Sequence, residues 1–179
     1  MSDQFEGGVW AWRGAYLLVV VTLVFLRLLP LPAEAGQWPA PDFVLCLTCA
    51  WVLRRPDYVP ALMIGLVVFA EDLVLMRPPG LWAAMTLLGT EFLRSRASFS
   101  RELTFLTEWV MVATVMTVMT LGYRLILAVV MLPQAGLSLT LVQTVGSILT
   151  YPLVVGASRL IAGLRKPATG EVDARGRRL

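Results

Sequence analysis

Leu62–Trp82 reads LMIGLVVFAEDLVLMRPPGLW, an apolar run interrupted by Glu71 and Asp72 side by side and closed by Arg77, Pro78, Pro79 and Gly80. In a water-soluble helix, two adjacent carboxylates form an ordinary wet face. In a bilayer each is costly and must turn toward a partner or a water-filled space. The solvent around this stretch therefore decides its meaning. The chain has 179 residues, of which 58% are hydrophobic and only 15% charged, and its mean hydropathy is +0.74. Soluble domains average about a quarter charged residues, and so little polar sequence does not cover a soluble surface. Apolar runs repeated along the chain read instead as transmembrane helices.

Six spans are expected: 15–31, 43–53, 58–76, 81–93, 103–132 and 137–164. The second and fourth are short for a bilayer, which calls for roughly 17–25 residues. They extend through their polar ends or sit in a locally thinned membrane. Residues 1–166 then form one all-α, polytopic transmembrane domain, and residues 167–179 a basic cytoplasmic tail expected to be disordered. "AEA" at 33–35 has the small residues of a signal-peptide cleavage site. Asp3, Glu6 and the intramembrane Arg27 argue that the first span is retained.

Arginine and lysine orient the spans. Arg13, Arg54, Arg55, Arg94, Arg96, Arg101 and the basic residues from Arg165 onward all fall on one side of a six-span arrangement. The opposite loops, 33–41 and 133–136, contain neither Lys nor Arg, and the third carries only Arg77. Both termini are therefore expected in the cytoplasm. All six Trp, at 10, 12, 38, 51, 82 and 109, lie near span ends, as an aromatic belt would place them.

Little catalytic chemistry is on offer. The chain has no His, the commonest general base and metal ligand. Cys46 and Cys49 form a C-x-x-C without a second ligand pair, inside an apolar run, and read as small buried residues. Neighbouring helix positions lie about 100° apart, so Glu71 and Asp72 do not face each other as an acid–base pair. No metal, cofactor or nucleic acid is expected.

The stretch PDFVLCLTCAWVLRRPDYVPALMIGLVVFAEDLVLMRPPGL, Pro41–Leu81, resembles the MreD family of bacterial rod-shape membrane proteins. The matching features, in order, are Pro41-Asp42, Trp51, Arg55-Pro56, Pro60, Gly65, Asp72 and Pro79-Gly80-Leu81. Glu71 and Arg77 lie outside this pattern. The resemblance implies a non-enzymatic component of the bacterial inner membrane. Its fold would be similar to the substrate-binding subunits of ECF transporters. Its partners would be MreC and, through it, the MreB filament, a SEDS glycosyltransferase and a penicillin-binding protein of cell-wall elongation. The fold likeness also supports an alternative, a small-solute-binding transporter subunit.

Two polar stripes bear on that alternative. Thr140, Gln143, Ser147, Thr150, Val154 and Ser158 recur at helical spacing on the sixth span, and Thr107, Thr114, Thr117 and Arg124 on the fifth. Such stripes either glue helices together or line a polar cavity. Met111, Met116, Met119 and Met131 enrich the fifth span with adaptable packing. The Arg54–Arg55–Pro56 turn either meets cytoplasmic partners or is a plain inward turn in which Pro56 starts the next helix. On the third span, Ala61, Gly65, Val68 and Asp72 share a small face suited to close helix approach, and Ile64, Val67, Glu71 and Leu75 a bulkier one. Asp72 is therefore expected to point into the bundle and pair with Arg124 or Arg27, with Glu71 at the outer boundary toward Arg77. The competing expectation is that both carboxylates snorkel to headgroups and water.

Overall fold

The computed structural model describes residues 2–29, 39–97 and 104–162. The region 33–35, Trp38, Arg101 and the tail from residue 163 lie outside them. Among the described residues there are six α-helices and no strands. They are α1 (Ser2–Leu28), α2 (Phe43–Arg54), α3 (Ala61–Val74), α4 (Leu81–Ser95), α5 (Phe105–Val129) and α6 (Leu137–Ala162), with one 3-10 turn at Pro56–Tyr58 between α2 and α3.

Helix lengths divide the chain into two classes. Gly8–Leu28 of α1, Phe105–Val129 of α5 and Leu137–Leu160 of α6 are long and apolar enough to cross a membrane. Helices α2, α3 and α4 have 12, 14 and 15 residues. At 1.5 Å per residue they reach only about 18–22 Å, short of a hydrocarbon core of about 30 Å. Proline sets these limits. Pro56 opens the 3-10 turn rather than α3, and Pro60 in extended conformation precedes Ala61. Pro78 and Pro79 follow α3, and Gly80, at φ 84°, turns the chain into α4. The third helix is thus shorter than 58–76, because the end of the 3-10 turn and Pro60 occupy its start and the helix stops at Val74.

Helix α2 is the axis of the bundle. Every residue in it except Phe43 is buried. It packs most extensively on α6 and also meets α4 and α1. A helix sheathed by protein has no lipid contact to match, so its short length carries no mismatch cost. Asp42 starts it by accepting the Leu45 N–H at 3.0 Å, an N-cap. Cys46 and Cys49 are both buried inside it as free thiols. Trp51 is 3% exposed. It packs against Trp12 and Tyr16 of α1 at ring-centroid distances of 6.2 and 5.6 Å. Trp51 and Trp82 are thus core residues rather than members of a lipid-facing belt, whereas Trp10 is exposed.

The other helices present apolar residues outward. Leu62, Leu66, Phe69 and Leu73 of α3 are exposed, as are Val110, Val118, Leu121 and Leu125 of α5 and Val145, Leu149 and Leu153 of α6. This exterior identifies a membrane protein. On the inner face of α3, Gly65 lies against α4: a Cβ there would come within 3.2 Å of Leu87 Cδ1. Met116 and Met119 of α5 fill the core, while Met131 is exposed.

Helix direction alternates. Trp12, Arg54, the 3-10 turn, Arg94, Glu108 and Ser158 gather at one end of the bundle; Arg27, Asp42, Asp72, Arg77, Tyr123 and Arg124 gather at the other. The first group coincides with the end that charge distribution assigns to the cytoplasm. There Arg94 donates to the Pro56 and Val59 carbonyls at 2.8 and 2.6 Å, and Arg13 to the Asp57 carbonyl at 3.2 Å. These arginines close the α2–α3 turn as well as adding positive charge.

Candidate functional site

The two carboxylates that open the sequence problem are both buried, and their partners are exchanged relative to expectation. Glu71 Oε1 accepts from Arg27 Nη1 at 2.8 Å, joining α3 to α1. Arg27 also lies 4.0 Å from Asp42 Oδ2. Asp72 pairs with neither Arg27 nor Arg124. Its Oδ2 accepts the backbone N–H groups of Gly80 and Ala83 at 3.1 and 3.2 Å. Arg77 Nη1 stands 4.0 Å from its Oδ1. The reason is topological. The small face of α3 does meet a neighbour, but that neighbour is the first turn of α4, whose orphan N–H groups need an acceptor. Gly80 supplies no capping side chain, so Asp72 caps α4 from the preceding helix. The bulkier face carrying Ile64 and Glu71 is covered too. The lipid-exposed residues form a third face. Neither carboxylate snorkels outward.

A second charged cluster, at the opposite end, was not foreseen. Arg54 Nη2 and Glu108 Oε1 lie 3.0 Å apart, both side chains fully buried. Tyr151 of α6 donates its hydroxyl to the same Glu108 oxygen at 2.8 Å. Arg54 is therefore an internal side chain at the end of α2 and not part of an exposed inward turn. Arg55 and Pro56 follow it at the start of the 3-10 turn. A signal for this pair exists in the sequence. Glu108 interrupts the apolar stretch FLTEWVMVA, and alternating helix direction brings the start of α5 beside the end of α2.

The polar stripe of α6 divides between two uses. Ser147 and Ser158 serve as glue. The Asp42 N–H donates to Ser147 Oγ at 2.8 Å, Cys46 Sγ to the Ser147 carbonyl at 3.2 Å and Trp51 Nε1 to Ser158 Oγ at 3.4 Å. Pro152 lies inside α6 and has no N–H to give the Ile148 carbonyl. Trp109 Nε1 of α5 donates to that carbonyl at 2.8 Å. Nearer the start of α6, Thr140, Gln143 and Thr144, together with Ser147, line a cavity of about 330 Å³. Arg77, Tyr123 and Arg124 line it too. Of the stripe on α5, Thr114 and Thr117 bond their own helix at Val110 and Ala113, and Arg124 belongs to the cavity. Thr107 meets Thr104 at the start of the helix.

The described residues contain no cluster of three or more His, Cys, Asp or Glu side chains suited to a metal ion. Their chemistry is of two kinds: ionic and hydrogen-bonded cross-links between helices, and a polar cavity at the end holding Arg77 and Arg124. No family model, curated protein or solved structure matches this chain.

Proposed function

We propose that this protein is a non-enzymatic integral membrane scaffold of the bacterial cell-elongation complex, of the MreD type. It would lie in the inner membrane with six spans and both termini cytoplasmic. MreC would be its direct partner. The SEDS glycosyltransferase, the penicillin-binding protein and the MreB filament would be reached through that contact. One observation carries the reading: the ordered residues of Pro41–Leu81 fall at the joints of a single folded unit. Asp42 caps α2. Trp51 fills the space beside α1. Pro56 and Pro60 set the turn, Gly65 admits α4, and Asp72 caps α4 next to Gly80. Such a set specifies one arrangement of α2, α3 and α4.

The cavity at the outer end favours a second reading, a solute-binding transporter subunit whose fold is similar to ECF substrate-binding subunits. One experiment separates the two. The chain is depleted in a rod-shaped host and affinity-purified in mild detergent. Round or widened cells and recovery of MreC support the scaffold. Recovery of ATPase subunits with unchanged cell width supports transport and removes the scaffold reading.

A further inference from the structure

The cavity beside Arg124 is lined in part by hydrogen-bonding groups that make no hydrogen bond among the described residues. Arg124 Nη1 donates to the Ala135 carbonyl at 2.8 Å and to Thr140 Oγ1 at 2.7 Å, both neutral acceptors. Among the described residues no carboxylate lies within 4.0 Å of it. It is the exception at this end of the bundle, since Arg27 and Arg77 each stand by a carboxylate. Arg77, also on the cavity wall, shares Asp72 only at 4.0 Å, because the backbone of α4 occupies the other Asp72 oxygen. Two further donors are unspent. The Tyr123 ring packs edge-on against Trp82 at 5.3 Å, and its hydroxyl makes no hydrogen bond among the described residues. The Gln143 side-chain amide makes none either. A guanidinium near the membrane, a free phenol and a free amide around one concavity match an oxyanion joined to a polar body. The volume, near the lower end for small-molecule sites, suits a headgroup-sized molecule.

We propose that this cavity binds a small organic phosphate, with Arg124 and Arg77 on the oxyanion and Gln143 and Tyr123 on the polar remainder. The phosphate is either the headgroup of an anionic outer-leaflet lipid or a free solute. The site stands on the cavity and its unspent donors, and it holds whether the protein serves as scaffold or as transporter subunit.

The test uses the full chain purified in neutral detergent. In one arm the thermal midpoint is followed against glycerol 3-phosphate, with glycerol as the uncharged control. In the other, phosphatidylglycerol competes with phosphatidylcholine for retention, read by native mass spectrometry. A saturable rise with glycerol 3-phosphate assigns a free solute, and selective retention of phosphatidylglycerol alone assigns a lipid headgroup. Arg124→Gln is expected to weaken the preferred ligand roughly tenfold or more, the loss of a charge-assisted contact. Because Arg124 also ties down the α5–α6 connection, Tyr123→Phe and Gln143→Leu decide the matter if that variant does not fold. Both remove donors that no hydrogen bond among the described residues uses, and each is expected to weaken binding severalfold without lowering the ligand-free midpoint. Equal behaviour of charged and uncharged probes overturns the proposal. So does an anion preference that Tyr123→Phe and Gln143→Leu leave unchanged.

Discussion

The bundle handles charge differently at its two ends. At the end holding the α2–α3 turn, Arg54 and Glu108 are wholly enclosed and tied to Tyr151 from a third helix. At the opposite end, charges are spread. Glu71 meets an Arg27 whose side chain keeps 27% exposure, Asp72 is given to backbone, and Arg124 faces a cavity. An enclosed pair tolerates no loss of one member, because the survivor's charge stays in a low-dielectric interior without that counter-charge. A spread arrangement loses single contacts more cheaply and leaves groups available to something outside the fold. The first end is therefore built as a lock, while the second retains chemistry to offer.

The largest effect is expected at the lock. Glu108→Ala or Arg54→Ala should destabilise by roughly 3–5 kcal/mol, the range for orphaning one member of a buried pair. The folded yield and the thermal midpoint in detergent should both fall sharply. The double variant Arg54→Met with Glu108→Leu should recover much of that loss, since apolar isosteres remove both desolvation costs together. Single variants with the parental midpoint would show that the two ends do not differ in this way.

Asp72 comes next. Asp72→Ala strips the acceptor from two N–H groups at the start of α4 and should cost about 1–2 kcal/mol. Asp72→Asn, which keeps an acceptor oxygen, should cost less. Protection of the Gly80 and Ala83 amides against hydrogen exchange reports this directly. Faster exchange in Asp72→Ala at an otherwise unchanged core is the expected pattern; unchanged exchange at both amides would remove the capping role.

The smallest effect belongs to the half-open pair. A double-mutant cycle on Arg27→Gln and Glu71→Gln should return a coupling of about 1 kcal/mol or less, because Arg27 sits at the end of its helix and is only partly enclosed by protein. It is read from the same thermal midpoints. A coupling as large as that of Arg54 with Glu108 would erase the contrast between the ends.

The fold was more legible than the pairing. Proline and glycine mark where α2, α3 and α4 begin and end, and arginine placement predicts the alternating direction that the helix contacts display. The face containing Gly65 and Asp72 was correctly read as meeting another helix. What periodicity does not contain is the identity of the neighbour. Asp72 meets the start of α4 and Glu71 meets α1, so the partners exchange although the faces stand. Arg54 was misplaced for a related reason: a basic residue at a span end has the same appearance whether it turns outward or back into the bundle. Span length was the other gap. Hydropathy counts apolar residues, and α2 is apolar because protein surrounds it on all sides. Its composition therefore does not distinguish it from a helix in lipid.

The proline in α6 carries a last consequence. Pro152 leaves the Ile148 carbonyl without its usual donor, and the indole of Trp109 fills that gap from the neighbouring helix. Neither residue is then free to drift alone. A lineage that exchanges the indole for phenylalanine strands a carbonyl at a depth where water does not replace the lost donor. A lineage that first replaces the proline restores the helical hydrogen bond and releases the indole from this duty. The two positions are expected to change in a fixed order, proline first, which makes a pairwise contact into a constraint on history.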